Sequence, residues 1–170
     1  MSTVSLVHST EDGDSLLAYM ARVSNPSNQG NKCSHKLIKY LIEHKHWSPF
    51  EMVNMCVEIN TTRSISAQII RHRSFSFQEF SQRYANVEEL KLPTPPDLRL
   101  QDPKNRQNSI DSDDIDKLTW QGSIQLHYAK CYKLYNNLIK EGVAKECARE
   151  VLPMGAPTRI YMNGTLRSWI

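Results

Sequence analysis

Residues 53–60 alternate in character without a break. Val53, Met55, Val57 and Ile59 form one row, and Asn54, Cys56, Glu58 and Asn60 form the other. A period of two is that of a pleated strand, so this stretch is predicted to be a half-buried strand with one face on a core. Thr61 or Thr62 is then placed to cap a helix in which Ile65 and Ile69 share a side and Gln68 stands one turn before His72. A strand that runs directly into a helix restricts the chain to folds mixing both elements. Its 170 residues, 39% hydrophobic and 23% charged, suffice for one domain with a real core.

The remaining pattern agrees. Residues 4–8 read as a short opening strand. Residues 15–23 read as a helix with Leu16, Leu17, Tyr19, Met20 and Val23 on its apolar side, stopped by Asn25-Pro26. Ser34 is placed to cap a second helix through His44, with Leu37, Ile38, Leu41 and Ile42 as its stripe. Residues 92–116 are Pro-rich and charged and lack an apolar period, which predicts a loop over 93–119. Helix returns over 120–139, where Ile124, Tyr128, Cys131, Tyr135 and Leu138 recur, and Gly142 ends it. A shorter helix over 143–149 precedes Pro153, and residues 158–170 read as a strand and the first turn of another helix. With no repeat and no linker, the expectation is a single α+β domain over residues 1–170, an antiparallel or mixed sheet flanked by helices.

Composition removes several classes of function. A net charge of +3 suits small anions better than a long nucleic acid, so no nucleic-acid partner is expected. No apolar run approaches the ~20 residues of a membrane span, and the first residues lack a secretory signal, so no membrane partner and a cytoplasmic location are expected. Cys33, Cys56, Cys131 and Cys147 form no CxxC pair and no zinc spacing. They are expected to be reduced thiols packed in or near the core, and no metal is expected.

The chemistry concentrates in residues 71–84. Arg71, His72 and Arg73 are adjacent, and Glu79, Ser81 and Arg83 follow at two-residue steps. Adjacent cations repel and lose hydration when packed, a cost that a phosphate-bearing ligand offsets through bidentate hydrogen bonds. Glu79 suits holding Arg71 or Arg83, or accepting from a ribose hydroxyl, and Ser81 and the backbone around Gln82 add neutral donors. Plainer readings stand beside these. The cations complement a helix C-terminal dipole, as Arg149 does for its own helix, Glu79 and Arg83 make a surface pair, and Ser48-Pro49 is a turn.

Arg71-His72-Arg73, seven residues and Ser81 make an RHR-x7-S pattern that resembles the signature of flavin-dependent thymidylate synthases. His46-Trp47-Ser48-Pro49-Phe50-Glu51 is similar to that family's His-x-Ser-x-x-Glu turn. Residues 148–153 resemble its Ala-Arg-x-x-Leu-Pro block, and residues 158–161 the strand after it. The resemblance implies conversion of dUMP to dTMP, with methylenetetrahydrofolate as one-carbon donor and NADPH as reductant through FAD. It also implies a homotetramer with active sites shared between chains. Residue by residue, it implies that Gln68, Arg71, Glu79, Ser81, Gln82, Arg83 and Arg149 hold dUMP. It implies that His46, Ser48, Arg71, His72, Arg73, Glu79, Thr165 and Arg167 meet the flavin.

Two departures qualify it. Thr165 stands where the family has an asparagine, leaving one donor group fewer. An arginine that polarises the pyrimidine is expected beyond Ile170, so the chain is expected to be truncated and its catalytic residue is not among those present. A non-catalytic nucleotide- or flavin-binding module that keeps only the phosphate grip is therefore the alternative. A nucleic-acid binder stacking bases on Phe75, Phe77 and Phe80 ranks last, because Phe75 and Phe77 fit a strand's core face.

Overall fold

The computed structural model describes residues 2–90 and 92–170, the side chain of Glu88 excepted. In chain order the first elements are β1 (Thr3–Ser9), α1 (Gly13–Ala21), α2 (His35–Glu43), β2 (Asn54–Thr62), α3 (Arg63–Ile69) and β3 (Ser76–Glu79). After them come the two-residue strands β4 (Leu100–Gln101) and β5 (Ser109–Ile110), then α4 (Lys117–Lys140), α5 (Lys145–Ala148), β6 (Pro157–Thr165) and α6 (Leu166–Trp169). A 3-10 turn spans Ser48–Met52. The four longer strands form one sheet in the order β1-β2-β6-β3, with β1 antiparallel to β2 and β3 antiparallel to β6. The α+β class is as expected.

The residues group into two compact units. The first holds the chain up to Thr61, Ala67–Glu79 and Arg159–Ile170; the second holds Thr62–Ser66 and Phe80–Thr158.

In the first unit the alternation of β2 does what its period requires. Val57 and Ile59 are buried with Met162 of β6, and Met55, Ile69, Phe75, Phe77 and Trp169 pack against them. A second cluster joins Leu17 of α1, Leu41 of α2, Phe50 and Val53, with Trp47 and Leu166 at its margin. The opposite row of β2 carries a polar ladder. Glu58 accepts from Asn60 Nδ2 at 2.8 Å and from Tyr161 OH at 2.9 Å, and Arg159 Nε lies 3.7 Å from it. These hydrogen bonds, with the Arg159 charge, hold the Glu58 carboxyl below the usual carboxylate range. The loop after α1 is closed by Arg22, a buried guanidinium that donates to Asn31 O at 2.7 Å and Cys33 O at 2.6 Å.

In the second unit α4 and α5 enclose Val87, Tyr132, Tyr135 and Ala148, with Phe80, Leu138 and Leu152 packed around them. Burial, with Tyr135 adding a smaller effect, pushes the Tyr132 hydroxyl up to about 12.

Several expectations need correction. Ser34 precedes α2 but makes no capping bond with its side chain. The first two amides of α3 look elsewhere than to Thr61 or Thr62: Arg63 N and Ser64 N donate to Ala156 O and Met154 O at 2.9 and 3.0 Å. The predicted loop over 93–119 contains the β4–β5 hairpin. Its turn is organised by Asp102, which accepts from Lys104 N, Asn105 N and Asn108 Nδ2. Helix α4 begins inside that span because Asp116 caps it, accepting from Thr119 N at 3.1 Å. All four cysteines are free, yet Cys33 and Cys147 are exposed rather than in the core; Cys56 and Cys131 are half-buried. Among the described residues no helix is long and apolar enough to cross a membrane.

Candidate functional site

The residues singled out by sequence fall in both units. His46, Ser48, Gln68, Arg71, His72, Arg73, Glu79, Thr165 and Arg167 lie in the first, and Ser81, Gln82, Arg83 and Arg149 in the second.

In the first unit the cationic run is the turn in which α3 ends, as its position in the sequence predicts. Arg71 N donates to Gln68 O at 3.2 Å and His72 N to Ile69 O at 3.1 Å, so the helix closes through i→i+3 bonds. Phe75 anchors the turn. Its ring meets Trp169 edge to face with centroids 4.7 Å apart, and it packs on the sheet core. Gly164 of β6 makes room for that ring, because a Cβ there would lie 2.5 Å from Phe75 Cδ1. Ser168 Oγ ties the turn down from α6, donating to Ser74 O at 3.0 Å. With Phe75 and Ser74 held, His72 lies edge-on to the Phe75 ring at 6.4 Å. Arg71 and Arg73 are exposed, and neither has an ion-pair partner among the described residues. Glu79 ends β3, in register with Ile160.

A second group surrounds the 3-10 turn and α6. Thr165 Oγ1 donates to Glu51 Oε2 at 2.7 Å, and Arg167 Nη1 lies 4.0 Å from Glu51 Oε1. The Arg167 guanidinium sits over the Trp47 ring, 5.7 Å from its centroid. Ser48 opens this turn beside them, followed by Pro49 within its first two positions, so the turn reading of Ser48-Pro49 holds as well.

His46 follows α2 in a Schellman ending: its N–H donates to Leu41 O at 2.8 Å, and Lys45 N donates to Ile42 O at 3.1 Å. The position that glycine usually takes is Lys45, at φ 56°, so some backbone strain lies directly beside His46. His46 stands edge-on to Tyr40 at 6.1 Å, and His44 stacks on that same ring at 3.9 Å.

In the second unit Ser81 turns the chain. Its carbonyl accepts from Tyr84 N and Ala85 N at 3.2 and 3.0 Å. Arg83 Nη2 pairs with Glu146 Oε2 of α5 at 3.1 Å, and its guanidinium lies over the Tyr84 ring. Lys145 Nζ donates to Tyr84 O at 2.8 Å, fixing the same turn. Gln82 is 7% exposed, and its Nε2 has no acceptor among the described residues. A buried amide donor left this way is costly unless a ligand or water meets it. Arg149 caps α5 at its C-terminus, the plainer reading of it, with Nε 3.7 Å from Glu150.

Sequence reasoning assigned no role to Glu51, Trp47, Glu146, Ser74 or Ser168, which hold the named residues. Glu51 and Trp47 were visible within the His46–Glu51 pattern, and Ser168 within the Thr165–Ser168 block that resembles the family's; Glu146 carried no local signal. Among the described residues no group of three or more His, Cys, Asp or Glu side chains gathers to hold a metal ion.

Comparison with known proteins is consistent with these features. A sequence model of the family described as thymidylate synthase complementing protein matches residues 5–170. A probable flavin-dependent thymidylate synthase of Paramecium bursaria Chlorella virus 1 is 52% identical over 170 residues, covering 99% of this chain and 78% of the relative. A flavin-dependent thymidylate synthase of Synechocystis sp. is 49% identical over 158 residues, covering 92% and 72%. Among solved structures, a UMP/dUMP methylase PolB of Streptomyces cacaoi bound with 5-Br dUMP is similar with a TM-score of 0.81 at 28% identity, covering 99% of this chain and 74% of that one.

Proposed function

This chain belongs to the thymidylate synthase complementing protein family, and from that premise we propose that it is a flavin-dependent thymidylate synthase converting dUMP to dTMP. The observation that carries the reading is the reach of the family match, residues 5–170, which takes in every residue assigned to the site. Relatives named as enzymes over nearly the whole chain favour it over a module that only grips the nucleotide. We take residues 1–170 as one catalytic domain, FAD as the flavin, methylenetetrahydrofolate as one-carbon donor, NADPH as reductant and a homotetramer as the working form.

The donors present suit an anionic, acceptor-rich cofactor and substrate. Arg71 and Arg73 are exposed without an acid partner among the described residues, and Gln82 buries an unmet amide donor. Arg71, His72 and Arg73 with Ser48, Glu79, Thr165 and Arg167 would hold FAD, and His46 would stand near its ring. Gln68, Arg71, Glu79, Ser81, Gln82, Arg83 and Arg149 would hold dUMP. Bound flavin supplies the hydride chemistry. The chain's own contribution is charge and position: guanidinium forks neutralise phosphate and fix its orientation, and a cation beside the uracil stabilises negative charge developing on the ring.

The test is direct. Purified chain should be yellow, with flavin absorbance in the visible, and should show dUMP-dependent oxidation of NADPH. A colourless preparation that FAD does not reconstitute overturns the proposal.

A further inference from the structure

Glu51 is an acid in a neighbourhood of residues suited to receiving anions. By Coulomb's law alone it weakens whatever anion Arg167 receives, so an orienting benefit has to offset its presence. Its two oxygens have separate duties. Oε2 accepts from Thr165 Oγ1 at 2.7 Å, a charge-assisted bond, while Oε1 faces Arg167 Nη1 at 4.0 Å. The Arg167 pair is half-exposed and worth little alone. A carboxylate already fixed by a hydroxyl is a different partner, because it costs less rotamer freedom to use.

Thr165 is placed for this. It precedes α6 in extended conformation, at φ −67° and ψ 155°, and makes no capping bond to that helix with its side chain. Its hydroxyl donates to Glu51 at 2.7 Å, and Ser168 Oγ of α6 lies 3.3 Å from the same oxygen. The next residue pins the corner through the backbone, Leu166 N donating to Val53 O at 2.7 Å. Trp47 supplies the platform on which the guanidinium rests.

We propose that Glu51 is a positioning residue for flavin binding: anchored on the Thr165 hydroxyl, it holds Arg167 over Trp47 in the rotamer that receives the anionic part of the cofactor. The inference rests on the functional reading of Thr165 and Arg167 as cofactor residues. Thr165 then acts through Glu51, because its one hydroxyl proton is committed there.

The test titrates FAD into the full chain and follows flavin fluorescence, for wild type, Glu51→Ala, Glu51→Gln and Thr165→Val, with melting temperatures recorded alongside. Glu51→Ala should bind FAD roughly tenfold more weakly. Glu51→Gln keeps an acceptor oxygen for Thr165 and should recover most of the affinity. Thr165→Val should reproduce the loss, and combining it with Glu51→Ala should add nothing, the mark of two residues acting as one. Should Glu51→Ala fail to fold, Thr165→Val still decides: it leaves the Leu166–Val53 bond in place, and Ser168→Ala is the control for the 3.3 Å contact with Ser168 Oγ that it also removes. Affinity unchanged or tighter on removing the acid or the hydroxyl overturns the proposal, because that is how a bystander acid beside an anion site behaves. A wild-type chain that holds no FAD overturns both this and the functional reading. A wild type that binds while Glu51→Ala binds equally well removes only the role of Glu51.

Discussion

Phe75 is the side chain on which the cationic turn depends, and Gly164 is the residue that admits it. A methyl group at Gly164 would meet the Phe75 ring at 2.5 and 2.8 Å and Ser168 Cβ at 3.3 Å. Gly164→Ala should therefore force Phe75 off Trp169 and lower the unfolding free energy by about 1–3 kcal/mol, the cost of overpacking, as read by chemical denaturation. Unchanged stability would mean the ring has room to move. Arg83 separates binding from folding. Its pairing with Glu146 is half-exposed on both sides, so Arg83→Ala should change stability by no more than about 1 kcal/mol. The same substitution should weaken dUMP binding by ~1.5–3 kcal/mol in calorimetry, the range for a hydrogen bond to a charged group. Equal dUMP affinity in the two proteins would remove Arg83 from the phosphate site.

Among elements, the β2–β6 pair carries the clearest consequence of pH. The Glu58 carboxyl sits below its ordinary range because Asn60 and Tyr161 donate to it and Arg159 adds charge. A depressed acid contributes stability that is present above its unfolded value and disappears as pH falls through the folded one. The melting-temperature gap between wild type and Glu58→Gln should thus be open at neutral pH and close below about pH 4, the ordinary carboxylate range. A gap independent of pH would sink that account.

Periodicity made β2, α1, α2 and α4 legible as elements, because a core-facing stripe is written into the order of residues. Yet Tyr19, Val23 and Ile42, counted into the stripes of α1 and α2, are exposed, and Val23 lies past the end of α1. In α4 the stripe named from sequence holds: Tyr135 is buried, and Ile124, Tyr128, Cys131 and Leu138 are half-buried. What periodicity could not show were features made by partners distant in sequence. The first amides of α3 are satisfied by carbonyls ninety or more residues on, from Met154 and Ala156. No local rule predicts that, and a capping threonine was the natural expectation. The hairpin within 93–119 was missed for a different reason: its strands are two residues each, too short for alternation to register.

At the scale of the whole molecule, the sequence proposes a set of site residues and not a geometry. Arg71 and Arg73 on either side of His72, with Ser81 and Arg83 downstream, are a pattern suited to phosphate. Of the acids that hold the site's arginines, Glu51 lies in the His46–Glu51 pattern but with no role attached, and Glu146 is an ordinary surface residue until the fold brings it to Arg83. Large apolar side chains are also left in the open, with Val4 and Leu6 of the edge strand β1 at 65% and 61% exposed and Leu118 of α4 at 86%. Such a surface fits a chain that works in assembly. Light scattering should give about four times the 19.6 kDa chain mass, and a monodisperse monomer would refute the proposed homotetramer. The Arg22 clasp has a consequence of another kind. Among the described residues its charge is balanced by the peptide dipoles of Asn31 and Cys33 and by no acid. Mobile ions therefore have no carboxylate–guanidinium attraction to weaken there, so this loop should stay shut in concentrated brine while the peripheral ion pairs fade.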